Sequence, residues 1–158
     1  MSSSGMARQL VVVGVDGSAE SVAALRWAAA YAGAMDASVR AVMAWHYPTA
    51  VGPAPVGVAP AVVTNEVRQG VEDTLRRVVA EVLPDEPAGS VQTQVSYGHP
   101  SQVLVEESEK ADLLVVGGRG HGAFTGMLVG SVSVYCVSHA GCPVAVIRGH
   151  QVEAASAQ

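Results

Sequence analysis

Leu113-Leu-Val-Val-Gly-Gly-Arg-Gly-His-Gly122 is the stretch that decides the fold, because a short apolar run passes directly into a glycine-rich loop. The run Leu113–Val116 is typical of a strand that is buried on both faces of a sheet. Glycines have no Cβ, so they let backbone N–H groups approach an anion closely. Gly130 and Ser131 open the next helix, and its N-terminus and hydroxyls offer further donors. The stretch therefore predicts a phosphate-binding loop.

Two common kinds of phosphate loop do not fit this spacing. A Walker P-loop needs a lysine in the loop, and the only lysine of the chain, Lys110, precedes the strand. The dinucleotide pattern G-x-G-x-x-G/A is formally present, but the acid expected about 20 residues later is missing, because Glu153 is the only acid beyond Asp112. A different nucleotide site is therefore indicated.

Outward from the loop, strands and helices alternate along the whole chain. Leu10–Val15 is a buried strand that ends in Asp16-Gly-Ser18, and a helix follows with Ser18 as its N-cap and Gly33 as its stop. Such alternation predicts one α/β domain with a parallel sheet. The segment Pro48–Pro60 contains four prolines and predicts no regular element. The remaining predicted elements are strand Val39–Trp45, helix Asn65–Leu83, half-exposed edge strand Val91–Tyr97, helix Ser101–Lys110, helix Ser131–Ala140 and strand Val144–Ile147.

Composition excludes several classes of function. The chain of 158 residues has a formal net charge of −5 and 4% aromatic residues, so neither a basic nor a base-stacking nucleic-acid surface is expected. No apolar run is long enough to span a membrane. Cys136 and Cys142 fit no metal or redox spacing, and two free thiols suggest a cytoplasmic protein. Residues 1–9 and 149–158 are expected to be disordered.

Several motifs together resemble the ATP-binding branch of the universal stress protein family. Gly117, Gly120, Gly130 and Ser131 match its nucleotide motif, in which nine residues separate G-x-x-G from Gly-Ser. The resemblance extends over residues 10–148, and its other motifs are Val13-Gly-Val-Asp-Gly-Ser18, Tyr97-Gly-His-Pro100, Ala111–Gly117, Gly130-Ser-Val-Ser133 and Cys142-Pro-Val144.

The resemblance implies a single Rossmann-like domain of the adenine nucleotide alpha hydrolase-like kind. Its five-stranded parallel sheet would have the order 3-2-1-4-5 with helices on both faces, which places the ends of strands 1 and 4 side by side in a ligand crevice. Asp16 would lie near the ribose and act indirectly on a Mg²⁺ ion held by the phosphates. The implied nucleotide-binding residues are Gly14, Val15, Asp16, Ala44, Val116, Gly117, Arg119, Gly120, Gly130, Ser131, Val132 and Ser133.

Within this set, adenine would lie near Ala44, held by apolar contact and by the backbone of Gly14, Val15 and Val116. Arg119 is the only cation within the glycine loop and would reach a phosphate.

The implied function is an ATP-binding stress-response regulator that is not an enzyme, or hydrolyses ATP slowly at most. The resemblance also implies a homodimer formed through strand 5, Pro143–Ile147, whose apolar edge would need covering. Three alternatives stay open: a true ATPase or phosphotransferase, an interaction module of the same fold that binds no nucleotide, and a preference for cyclic AMP or another adenine nucleotide.

Overall fold

A computed structural model describes residues 6–46, 60–87, 89–119 and 129–149 of the chain. Strands and helices alternate as predicted. The elements are β1 (Leu10–Gly14), α1 (Ala19–Met35), β2 (Ser38–Trp45), α2 (Pro60–Val82), β3 (Val91–Tyr97), α3 (Pro100–Ser108), β4 (Leu113–Gly117), α4 (Ser131–His139) and β5 (Val144–Ile147).

The five strands form one parallel sheet in the order β3-β2-β1-β4-β5, which confirms the predicted topology. In the sheet centre, Val13 of β1 lies opposite Ala41 on one side and Val115 on the other. Alternate side chains of these strands enter two separate apolar clusters, one under α1 and α2 and the other under α3 and α4. Burial on both faces explains why these strands are continuous apolar runs.

Helix α1 begins as predicted and ends later than predicted. The Ser18 hydroxyl accepts a hydrogen bond from the Ser21 N–H, so Ser18 is the N-cap. The prediction that Gly33 stops the helix is wrong, because α1 continues to Met35. Asp36 is the C-cap, with φ of 52°, a left-handed conformation that Asp tolerates better than most residues. A helix passes through glycine at a modest cost, so Gly33 does not force an end.

Helix α2 starts five residues before the predicted Asn65. Pro60 is its first residue, a position where the missing N–H of proline costs nothing. The rest of the predicted irregular segment, residues 48–59, lies outside the described residues. Helix α2 is the longest in the fold, yet neither it nor another helix in the described ranges is long and apolar enough to cross a membrane.

Strand β3 lies at one edge of the sheet, as predicted. Tyr97 continues the alternation of Val91 and Val95, yet this residue is 67% exposed. Tyr97 ends the strand, and its ring meets the neighbouring Trp45 ring edge-on at 5.1 Å between centroids.

A buried polar cluster attaches β3 and β2 to α3. The carboxylate of Glu107 on α3 accepts a 2.7 Å hydrogen bond from the Gln94 amide and forms an ion pair of 3.4 Å with Arg40. Glu107 is buried, and its carboxylate oxygens are hydrogen-bonded by these two partners. The cluster holds the polar side chains of an edge strand against a helix.

Candidate functional site

The carboxyl ends of β1 and β4 lie side by side, and the two segments predicted to bind nucleotide follow them. Val13 pairs with Val115 in the parallel ladder. The chain continues from there to Asp16 on one strand and to Gly117 on the other. Strand order reverses between β1 and β4, where open α/β sheets bind ligands. The topology therefore places the two segments where a ligand crevice was predicted.

Asp16 lies exposed at the end of β1 and organises the turn into α1. Its Oδ1 accepts a 2.9 Å hydrogen bond from the Ser18 N–H, and its own N–H donates to the Ser21 hydroxyl at 3.3 Å. The carboxylate thus has a defined position beside the crevice. A turn-forming role and a ligand-facing role are compatible here, because the side chain is accessible to solvent.

Gly117 lies so close to α1 that no other residue fits there. A Cβ on Gly117 would lie 2.8 Å from the carbonyl carbon of Glu20 and 2.9 Å from the Ser21 nitrogen. Both neighbours are helix backbone, so neither can move aside cheaply. The end of β4 is thereby held flat against the first turn of α1, and the two halves of the site are in direct contact.

Backbone hydrogen bonds fix the two described ends of the glycine loop. The Gly118 N–H donates to Ile147 O of β5 at 2.8 Å, and the Gly130 N–H donates to Gly118 O at 2.5 Å. The second bond joins the two ends of the segment between β4 and α4. Gly120, a predicted binding residue, lies outside the described residues, as does the rest of 120–128.

The first turn of α4 directly follows Gly130, the residue hydrogen-bonded to Gly118. Gly130 is its N-cap and supplies no side-chain acceptor, so the N–H groups at the start of α4 are left to other anionic or polar partners. Ser131 is exposed there and Val132 is partly buried. Ser133 is buried, and its hydroxyl donates to Gly117 O at 2.6 Å. The hydroxyl hydrogen of Ser133 is thus already used within the loop.

Three of the predicted residues form an apolar wall. Val116, Ala44 and Val132 belong to the same cluster, on the α3 and α4 side of the sheet. Gly14 lies beside this cluster, where a Cβ would come within 2.8 Å of Leu104. Val15 instead belongs to the cluster on the opposite face, and its N–H donates to Val42 O at 2.9 Å. The Val15 side chain is therefore not part of the apolar wall.

Arg119 is paired with a residue that sequence reasoning missed. Its Nε lies 3.2 Å from Oε1 of Glu20 on α1, and its backbone N–H donates to Oε2 of the same carboxylate. Glu20 is 9% exposed. An acid in the first turn of a helix usually indicates only a favourable interaction with the helix dipole. Nothing local in the sequence therefore linked Glu20 to a loop 99 residues away.

The described residues include no group of three or more His, Cys, Asp or Glu side chains placed to hold a metal ion. Asp16 is the only one of the predicted site residues that carries a carboxylate. Oxygen from one carboxylate together with phosphate oxygens is an ordinary ligand set for Mg²⁺. These residues fit a metal ion that arrives with a nucleotide.

Comparison with known proteins agrees with this architecture. The model of the universal stress protein family matches residues 8–148. A universal stress protein from Mycolicibacterium smegmatis is 37% identical over 146 residues, covering 88% of this chain and 48% of that protein. The chain thus spans about half the length of the curated relatives it matches.

Two solved structures show the same fold. Universal stress protein UspA from Lactobacillus plantarum has a TM-score of 0.70 and 26% identity, covering 90% of this chain and 99% of that one. A universal stress protein solved in complex with cyclic AMP has a TM-score of 0.66 and 27% identity, covering 89% and 97% of the two chains.

Proposed function

The chain belongs to the universal stress protein family, and from this membership and the geometry of its site we propose that it binds ATP and acts as a nucleotide-dependent stress-response regulator. One observation carries the proposal. Gly118 and Gly130 are hydrogen-bonded at a helix N-terminus without a side-chain cap, and β4 pairs with β1, the strand that leads to Asp16. A site of this kind suits a phosphate chain.

The apolar wall of Ala44, Val116 and Val132 supports a nucleoside as the other part of the ligand. None of the three residues is charged or aromatic, so a base would be held by apolar contact. A related protein has been solved with cyclic AMP, which supports an adenine nucleotide. We propose ATP rather than cyclic AMP because the loop and the α4 N-terminus together offer more donors than one phosphate requires.

The proposed metal is a Mg²⁺ ion carried by the nucleotide. The Asp16 carboxylate would accept a hydrogen bond from water or a ribose hydroxyl, or would contact the ion. Either contact would reduce the repulsion between this carboxylate and the phosphates. The ion supplies charge neutralisation when bound. The protein contributes the position of Asp16, which the hydrogen bond to the Ser18 N–H fixes.

A direct test is mass spectrometry of the protein as purified, combined with thermal unfolding in the presence of ATP, ADP, AMP and cyclic AMP. We expect a co-purifying adenine nucleotide and the largest rise in melting temperature with Mg²⁺ and ATP. Absence of both effects would favour a module of this fold that binds other proteins only.

We propose that the protein is not an enzyme, or hydrolyses ATP slowly at most. Among the described residues, Asp16 is the only predicted site residue with an ionisable carboxylate, and its geometry serves the turn. Turnover of ATP with Mg²⁺ should stay below about one event per second, the low end of ordinary enzyme rates. Faster turnover would establish an ATPase or phosphotransferase instead.

We also propose a homodimer formed through β5. The strand lies at the sheet edge, and its four residues are apolar and half-buried. An uncovered edge of this kind pairs readily with a second copy. Light scattering over a range of micromolar concentrations should give twice the chain mass of 16.1 kDa, whereas a constant monomer mass would contradict the pairing. We propose a cytoplasmic location, which suits the free thiols Cys136 and Cys142.

A further inference from the structure

The question that the site leaves open is which cation meets the phosphates. A triphosphate carries several negative charges, and backbone N–H groups compensate them only in part. The obvious candidate is Arg119, the one cation between Gly117 and Ser131. Its interactions in the fold decide whether it is available.

Arg119 is already neutralised. Both oxygens of the Glu20 carboxylate bind it, one at the guanidinium Nε and one at the backbone N–H. Glu20 is nearly buried, with an 11% exposed side chain. If Arg119 turned toward a ligand, it would leave a buried carboxylate without its partner, which is costly. The ion pair with Glu20 thus makes Arg119 unavailable to a phosphate in the crevice.

A second arginine lies beside the same loop. Arg148 follows β5 directly, and the preceding residue, Ile147, accepts the Gly118 N–H. The Cγ of Arg148 lies 3.4 Å from the position of a Cβ on Gly118. The side chain is exposed and makes no hydrogen bond or ion pair with the rest of the described chain.

The parallel sheet places Arg148 at the same end of the strands as the proposed nucleotide site. Because β1, β4 and β5 all run in the same direction, Arg148 lies at the carboxyl ends of the strands, as Asp16 and Gly117 do. A guanidinium on a long flexible side chain at this end of the strands can reach a phosphate that is held by the loop. We propose that Arg148, rather than Arg119, is the residue that contacts the phosphate chain and that distinguishes nucleotides by their phosphate charge. This inference rests on the proposed nucleotide function.

The test compares the binding of ATP, ADP and AMP by calorimetry to the wild-type chain and to three variants, Arg148→Gln, Arg119→Gln and Arg77→Gln. Arg77 is exposed on α2 and controls for the loss of one positive charge. We expect Arg148→Gln to weaken ATP about tenfold and AMP about twofold, as the loss of a charge-assisted contact to the outer phosphates predicts. Because Arg148 is exposed, the loss should shrink at high salt.

For Arg119→Gln we expect equal losses for ATP, ADP and AMP, because this arginine acts on the loop through Glu20. For Arg77→Gln we expect no change. If Arg119→Gln, but not Arg148→Gln, lost more affinity for ATP than for AMP, the assignment of Arg148 as the phosphate contact would be overturned. The proposed function would then stay intact. If the wild-type chain binds none of the three nucleotides, the proposed function fails and the assignment fails with it.

Discussion

The hydroxyl of Ser133 donates a 2.6 Å hydrogen bond to the carbonyl oxygen of Gly117, so the first turn of α4 is tied to the last residue of β4. The same hydroxyl also lies 3.4 Å from Gly118 O. This contact fixes the distance between the strand end and the helix N-terminus. A phosphate-binding site between these two elements depends on that distance.

Ser133→Ala should lower the free energy of unfolding by about 1–2 kcal/mol, because a partly buried carbonyl loses its hydrogen-bond donor. Urea denaturation measures the change. Ser138→Ala is the matched control, since the Ser138 hydroxyl donates to Val134 O on the exposed side of the same helix. We expect the control to stay within about 0.5 kcal/mol of the wild-type chain, and equal losses in both variants would contradict the role of Ser133.

Gly117→Ala should destabilise the protein by about 1–3 kcal/mol, because the added methyl group overlaps the α1 backbone. It should also abolish nucleotide binding by pushing the end of β4 away from α1. Gly33→Ala serves as the control. Nothing lies within 4 Å of a Cβ at this helical position, so thermal unfolding should show a gain of about 0.5–1 kcal/mol. A Gly117→Ala variant as stable as the wild-type chain would show that the close contact is absent.

Glu107→Ala should cost about 1–3 kcal/mol, because it leaves Gln94 and the partly exposed Arg40 without their shared partner. The neighbouring Glu106 is exposed on the same helix and bears the same charge. Glu106→Ala should change the free energy of unfolding by less than about 0.5 kcal/mol. Chemical denaturation of the two variants distinguishes the loss of a buried, hydrogen-bonded carboxylate from the loss of one negative charge. Similar losses of unfolding free energy would mean that the cluster of Glu107, Gln94 and Arg40 contributes nothing specific.

Stability should fall with rising pH in the alkaline range because of Cys136. Burial raises the pKa of the Cys136 thiol from 9.0 to about 11, so the folded chain keeps a proton that the unfolded chain loses. The contribution to stability is complete below pH 9 and is lost as the pH approaches about 11.

Cys136→Ala removes this titration. The difference in unfolding free energy between the wild-type chain and the variant should therefore narrow between pH 9 and about 11. A constant difference across that range would contradict the raised pKa.

The buried strands could be predicted because their sequence signal is local, whereas the strand order was implied by the resemblance to the universal stress protein family. Val12 and Val13 are fully buried and lie in an uninterrupted apolar run, as do Leu114 and Val115. Such runs occur where both faces of a parallel sheet are covered. The turn at Asp16 and the cap at Ser18 were predictable for the same reason, since their hydrogen bonds join residues that are close in sequence.

The features that escaped prediction depend on contacts between distant positions. Glu20 and Arg119 are 99 residues apart, and no pattern around either residue indicates the other. The end of α1 at Met35 rather than Gly33 was missed because a helix tolerates glycine, so Gly33 does not force an end. Tyr97 continues the alternation of β3, yet it lies beyond the cover of the helices and is exposed.

The most direct test of the central claim is a calorimetric titration of the wild-type chain with ATP and Mg²⁺, repeated with Gly117→Ala. The site described here predicts one nucleotide per chain for the wild-type protein and no measurable binding for the variant. Failure of the wild-type chain to bind ATP, ADP, AMP or cyclic AMP would contradict the claim. So would undiminished binding by a folded Gly117→Ala variant, because the glycine loop would then not be the site.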